Sequence, residues 1–206
     1  RLSSLIFWGP PGTGKTTIAG LLADRVGLDF VQLSAVFSGV ADLRKAIDGA
    51  RERRQVGRGT LLFVDEIHRF NRAQQDGFLP VVEDGTIVLV GATTENPSFE
   101  LNAALLSRCQ VLVLTRLEDA DLERLLERAE ALVSNTLPLT ADARAALRGM
   151  SDGDGRYLLN LAEDLLAVGG ASLDTEALVK AVQKRAPIYD KSRDEHYNLI
   201  SALHKS

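Results

Sequence analysis

Gly9-Pro10-Pro11-Gly12-Thr13-Gly14-Lys15-Thr16 fits the pattern G-x-x-x-x-G-K-[ST] at every fixed position. Before it lies the apolar run Leu5-Ile6-Phe7-Trp8, which reads as a buried strand, and after it a helical pattern runs from Lys15 to about Val26. A glycine-rich turn that carries a lysine by chance needs no such flanks. The strand-loop-helix setting is the context that gives the pattern meaning. Glycines let the backbone curl so that successive N–H groups point inward, and the helix adds its positive amino end. Such a cradle suits the phosphates of a nucleotide. Lys15 is expected to reach the β- and γ-phosphates, and the Thr16 hydroxyl to coordinate magnesium.

Working outward, Asp29 to Leu33 reads as a second strand and Val40 to about Arg54 as a second helix. Thr60 to Val64 is a third strand, followed by a helix from about Arg72 to Val82 that Gly85 ends. Thr86 to Ala92 makes a fourth strand, a short helix spans about Leu101 to Leu106, and Cys109 to Leu114 is the fifth strand. Apolar strands alternating with helices imply an α/β fold, with a five-stranded parallel sheet covered on both faces. After Thr115 the strand signal stops. Leu122, Leu125, Leu126, Ala129 and Leu132 keep helical spacing, as do Ala143 to Leu147, Tyr157 to Leu166 and Thr175 to Gln183. The expected division is a nucleotide-binding core over 1–115 and a small α-helical lid over 116–186.

The third strand, Leu61-Leu62-Phe63-Val64, delivers Asp65 and Glu66 at its carboxyl end, the edge where open α/β sheets bind ligands. Acidic residues often just begin a surface loop. One strand-helix unit after a phosphate loop, the pair reads as chemistry instead. Asp65 is the expected partner of the magnesium shell, and Glu66 the expected general base for the attacking water.

Other positions carry weaker signals. Thr94, in the small polar cluster Gly91 to Asn96, can bond the attacking water or γ-phosphate if its strand lies between the phosphate-loop strand and the acidic strand. It can equally be a turn or cap residue. Arg108 precedes the fifth strand, either as a surface arginine or as a finger completing a neighbour's site. Cys109 reads as a small packing residue rather than a nucleophile. Arg156 opens a helix after Gly153-Asp154-Gly155, facing phosphates or solvent. His68, Arg69 and Asn71 are either DNA contacts or the first turns of a helix. Arg51, Arg53, Arg54 and Arg58 crowd one stretch, as a solvated helix end or a nucleic-acid contact.

Composition bounds the possibilities. A chain of 206 residues with 24 Lys and Arg against 28 Asp and Glu has a net charge of -4, which argues against a uniformly basic nucleic-acid binder and leaves room for a local patch. Its single cysteine forms no internal disulfide and fits a reducing, cytoplasmic compartment. No apolar run approaches membrane-spanning length and no signal peptide is evident, so no membrane partner is expected. The sequence opens at Arg1 without a methionine. It closes on a stretch where Tyr197, Ile200 and Leu203 share a helical face, and so reads as a fragment of something longer.

The ordered set of 9–17, Asp65-Glu66-Ile67-His68, Thr94, Ser107-Arg108-Cys109 and Gly153-Asp154-Gly155-Arg156 resembles AAA+ ATPases of the clamp-loader clade. Within that clade, the runs 65–76, 91–99 and 196–206 are similar to the replication-associated recombination protein A family. The resemblance implies an ATPase that uses ATP and magnesium. Its nucleotide-binding residues would be Gly9, Pro10, Pro11, Gly12, Thr13, Gly14, Lys15, Thr16, Thr17 and Arg156. Its catalytic set would be Lys15, Glu66, Thr94 as sensor 1, Arg108 as the trans-acting finger and Arg156 as sensor 2, with Thr16 and Asp65 for the metal. It further implies DNA-stimulated activity on single-stranded, gapped or forked DNA at stalled forks, a homotetramer, and a single-strand-binding protein as partner. In a bacterium that would place it at the nucleoid. The family's N-terminal segment, which helps hold adenine, is expected to lie outside this sequence, and 187–206 would only begin its oligomerisation region. Glycine and tyrosine flank Arg156 where small or basic residues are commoner. Rival readings are a Holliday-junction branch-migration motor, a clamp-loader-type ATPase subunit, a nucleotide-gated scaffold, and an unfoldase with Val36-Phe37-Ser38-Gly39 as pore loop.

Overall fold

Alternation at period two builds the centre of the molecule. In the computed structural model, which describes residues 2–168 and 172–185, five strands form one sheet in the order β2-β3-β4-β1-β5. They are β1 (Ser4–Trp8), β2 (Asp29–Ser34), β3 (Thr60–Asp65), β4 (Ile87–Thr93) and β5 (Cys109–Val113), and every pairing is parallel. Leu5, Phe7, Leu61, Phe63, Val90 and Ala92 bury one face against Ala19 and Ala23 of α1 (Lys15–Val26). Ile6, Leu62, Val64 and Leu89 bury the other against Leu43 and Ile47 of α2 (Val40–Gln55). Two covered faces explain why β1 and β3 read as unbroken apolar runs. The expected five-stranded parallel α/β fold is the one observed.

The chain divides into two units, Arg1–Pro10 with Gly14–Thr115, and Pro11–Thr13 with Arg116 onward. In the first, one expected helix is broken and another starts late. The stretch expected to be helical from Arg72 to Val82 forms α3 (Arg72–Asp76) and α4 (Leu79–Glu83), with Gly77 capping the first and Pro80 opening the second. Ahead of the short helix expected over Leu101 to Leu106, an unexpected α5 (Pro97–Glu100) forms, and the expected helix itself starts later, as α6 (Ala103–Leu106). Asn96 and Asn102 each cap a helix, accepting bonds from the Ser98 and Leu105 amides. Asn residues prefer such caps to helix interiors, so Asn102 starts α6 rather than continuing a helix from Leu101.

The second unit holds α7 (Asp119–Val133), α8 (Ala141–Ser151), α9 (Gly155–Val168) and α10 (Thr175–Arg185). Leu122, Leu126, Leu147, Leu158, Leu165 and Leu178 form its core. On its surface Arg144 bonds Glu123 and both carboxylate oxygens of Glu130, and Arg148 bonds Asp119 and Glu123, tying α7 to α8. The segment 187–206, including the face of Tyr197, Ile200 and Leu203, lies outside the described residues.

Candidate functional site

The phosphate loop leaves β1 at Trp8 and enters α1 at Lys15. Gly12 and Gly14 sit at φ +70° and +84°, the left-handed region that side chains resist, so the curl needs glycine at both. Gly9 is required for a different reason: a Cβ there would meet the Leu114 carbonyl oxygen at 2.2 Å. Lys15 is buried, and its Nζ donates to the carbonyls of Gly9 and Pro10 at 2.7 Å each. The ammonium is thus turned into the loop. Thr16 and Thr17 follow it in the first turn of α1, both half-buried.

Strand order decides what else stands beside that loop. β4 lies between β1 and β3, the condition on which Thr94 was expected to face the reaction. Trp8 pairs with Thr93, and the Gly9 amide donates to the Thr93 carbonyl at 3.2 Å. Thr94 is therefore the next residue past the strand end that touches the loop, and it is half-buried. On the far side of β4, Val64 pairs with Gly91, so Asp65 reaches the same carboxyl edge. The Asp65 carboxylate accepts from the Glu66 amide at 3.2 Å. Loop, acidic pair and Thr94 share one edge.

Glu66 adopts φ +52°, an uncommon left-handed conformation for a residue with a side chain. It caps a 3-10 turn, Ile67–Arg69. Ile67 is fully buried against β4, and a Cβ on Gly91 would come within 2.9 Å of it. The missing side chain at Gly91 is what lets the turn seat so close. His68, one of the alternatives for DNA contact, has its side chain turned inward and only 7% exposed. Its Nδ1 lies 2.9 Å from Thr93 Oγ1 and 3.3 Å from Glu66 Oε2. Asn71 caps α3, accepting from the Gln74 amide.

Arg108 stands at the opposite edge. It precedes Cys109, which pairs with Ser4 at the start of β1, whereas the loop follows Trp8 at its end. Its guanidinium pairs with Glu83 and donates to the Ala104 carbonyl at 2.7 Å. Cys109 packs half-buried against the core, and burial pushes its thiol up to about 11, too high for a thiolate nucleophile at neutral pH. Arg156 occupies the exposed first turn of α9 in the second unit. The four crowded arginines are engaged within the chain: Arg51 with Asp48, Arg53 with Thr60, Arg54 with Thr86 and Asp84, and Arg58 with Asp29. Those bonds favour a structural role over a nucleic-acid patch.

Reading the sequence missed Thr93, His68 and Gly91 as parts of one arrangement. The signal was there in β4: Leu89, Gly91 and Thr93 share a face by alternation, the face on which Ile67 also packs. As a metal site, Thr16 and Asp65 offer one hydroxyl and one carboxylate, and among the described residues no cluster of three or more His, Cys, Asp or Glu could hold an ion alone. Magnesium is characteristically held by one or two carboxylates together with substrate phosphates rather than by an all-protein cage, so this donor set fits it.

Comparison with known proteins agrees with this geometry. Residues 5–117 match the family described as "ATPase family associated with various cellular activities (AAA)", and residues 133–206 match "AAA C-terminal domain". Replication-associated recombination protein A of Escherichia coli K12 is 47% identical over the whole chain, and that of Haemophilus influenzae is 46% identical. The chain spans 48% of the length of each. Among solved structures, the Thermotoga maritima RuvB Holliday junction branch migration motor superposes with a TM-score of 0.71 at 25% identity, covering 98% of this chain and 74% of that one.

Proposed function

The chain belongs to the AAA ATPase family, and from that premise we propose that it is a member of the replication-associated recombination protein A group that binds ATP with magnesium at the 9–17 loop and hydrolyses it. The observation that carries the reading is the strand order β2-β3-β4-β1-β5, by which the loop, Asp65, Glu66 and Thr94 share one edge of the sheet.

Each side chain has a task that its surroundings suit. The loop amides and Lys15 take the phosphate oxygens, and Lys15 exchanges its present bonds to the Gly9 and Pro10 carbonyls for them. Thr16 and Asp65 would hold magnesium, which when bound neutralises charge on the β- and γ-phosphates. Glu66 orients and deprotonates the attacking water, and Thr94 fixes the water or the γ-phosphate from the side. Arg108 serves a neighbouring subunit, since it stands at the far end of β1 from its own loop. Arg156 acts as the second sensor. The same reading takes 1–115 as the nucleotide-binding core, 116–186 as the lid and 187–206 as the beginning of an oligomerisation region.

The output of hydrolysis is remodelling of single-stranded, gapped or forked DNA in replication-linked recombination and repair, in line with the name of the relatives. A homotetramer, stimulation by DNA, a single-strand-binding protein as partner and a cytoplasmic, nucleoid-associated location belong to the same reading. Among the described residues no helix is long and apolar enough to cross a membrane. A branch-migration motor is the second reading, favoured by the superposition on RuvB. The test is ATP turnover by the full-length protein, with and without single-stranded or gapped DNA and four-way junctions. Glu66→Gln should bind ATP and fail to turn it over, whereas Lys15→Ala should lose tight binding. Turnover at the parental rate in Glu66→Gln removes the reading, and stimulation by junctions alone favours the second one.

A further inference from the structure

The acidic pair is wired to the tip of β4 by a side chain to which the mechanism above gives no role. Gly9 of the phosphate loop donates to the Thr93 carbonyl, and the Thr93 hydroxyl meets His68 Nδ1 at 2.9 Å. The same Nδ1 lies 3.3 Å from Glu66 Oε2. Thr93 is fully buried, and its Oγ1 also accepts from the Glu95 amide at 3.0 Å and lies 3.2 Å from the Glu95 carbonyl. One proton arrangement satisfies every member. Nδ1 carries the ring proton and shares it between Glu66 and Thr93, because a bare lone pair there would face the carboxylate. The Thr93 hydroxyl then donates to the Glu95 carbonyl. Glu66 itself is held in a left-handed backbone on a short turn, so its carboxylate direction needs an outside partner.

We propose that His68 is a positioning residue, whose Nδ1 bridges the Thr93 hydroxyl and the Glu66 carboxylate so that the tip of β4 sets the direction of the general base. The inference rests on Glu66 being that base. Thr93 is the element shared by both ends: its backbone carbonyl feels the phosphate loop, and its hydroxyl feels His68. Phosphates that shift Gly9 therefore reach Glu66 through two hydrogen-bonded groups.

Steady-state ATP turnover by the full-length protein separates this from a packing role. His68→Leu should lower kcat by about 10- to 100-fold, the scale expected of a misplaced catalytic group, with KM for ATP within about twofold. His68→Asn, whose amide nitrogen can take the place of Nδ1, should recover most of the lost kcat. Thr93→Val should lower kcat as well and add little to His68→Leu, because the two act through one connection. Parental kcat in His68→Leu, or a His68→Asn as poor as His68→Leu with KM raised in both, overturns the proposal. Should His68→Leu fail to fold, an unchanged kcat in Thr93→Val does the same. A Glu66→Gln control that turns over normally would remove the base itself and this relay with it. An inactive control beside a fully active His68→Leu removes only the relay.

Discussion

Replacing Arg108 by Ala tests whether the site is shared between subunits, and the geometry fixes what each outcome means. Arg108 precedes Cys109, the partner of Ser4, while the phosphate loop follows Trp8. Five residues of β1 lie between them, which makes six rises of ~3.3 Å each, so arginine and loop stand roughly 20 Å apart along the strand. No arginine side chain spans that gap, and this one is drawn instead towards Glu83 and the Ala104 carbonyl. The proposed contribution of Arg108 to turnover is therefore expected at a neighbour's site. Arg108→Ala should lower turnover by ~10³–10⁵ in the assembled protein and leave ATP binding nearly intact. Lys15→Ala should be equally inactive. Mixed one to one at random, about one-quarter of interfaces join an intact loop to an intact finger, so about one-quarter of parental turnover should return. The assay is phosphate release, with subunit mixing verified by native mass spectrometry. Mixed assemblies that stay inactive would refute the argument.

Gly9→Ala should displace the loop, because its Cβ would sit 2.2 Å from a backbone oxygen that cannot rotate away. A cost of about 1–3 kcal/mol in thermal unfolding is expected, together with weaker nucleotide binding by calorimetry, and parental values for both would count against it. In the second unit, burial works to raise the Glu130 carboxyl, but the Arg144 guanidinium and the Leu137 amide outweigh it and hold it below the ordinary range. A depressed carboxyl stabilises the fold above its unfolded pKa, and that contribution fades as pH falls through the folded value. Arg144→Met should therefore cost about 2–3 kcal/mol at pH 7 by urea unfolding. The difference from the parent should shrink below the ordinary carboxylate range, and an equal gap at both pH values would sink the assignment.

Much of this was legible because the local signals agree with one another. The loop pattern, its flanking strand and the helix from Lys15 to Val26 were all readable, since glycine spacing and apolar runs act over short range. The acidic pair was readable because β3 is buried on both faces and ends abruptly in charge. The helix break at Gly77 and the later start of α6 after Asn102 were missed, as periodicity outweighed capping in that stretch. Thr94 depended on strand order, which no local pattern records. The inward turn of His68 depended on Gly91 admitting Ile67 against the sheet, a contact between residues 24 positions apart that only the folded register brings together.

The left-handed backbone of Glu66 sets stability against chemistry at one position. Asparagine visits that conformation far more readily than glutamate does. Glu66→Asn should therefore melt no lower than the parent while hydrolysing nothing, and a clearly lower melting temperature would argue against the backbone assignment. On the reading that Glu66 is the base, its loss is then thermodynamically easy, and a nucleotide-binding scaffold without hydrolysis can arise from this fold without unfolding on the way. On the proposed reading, turnover rather than stability is what the glutamate at this position serves.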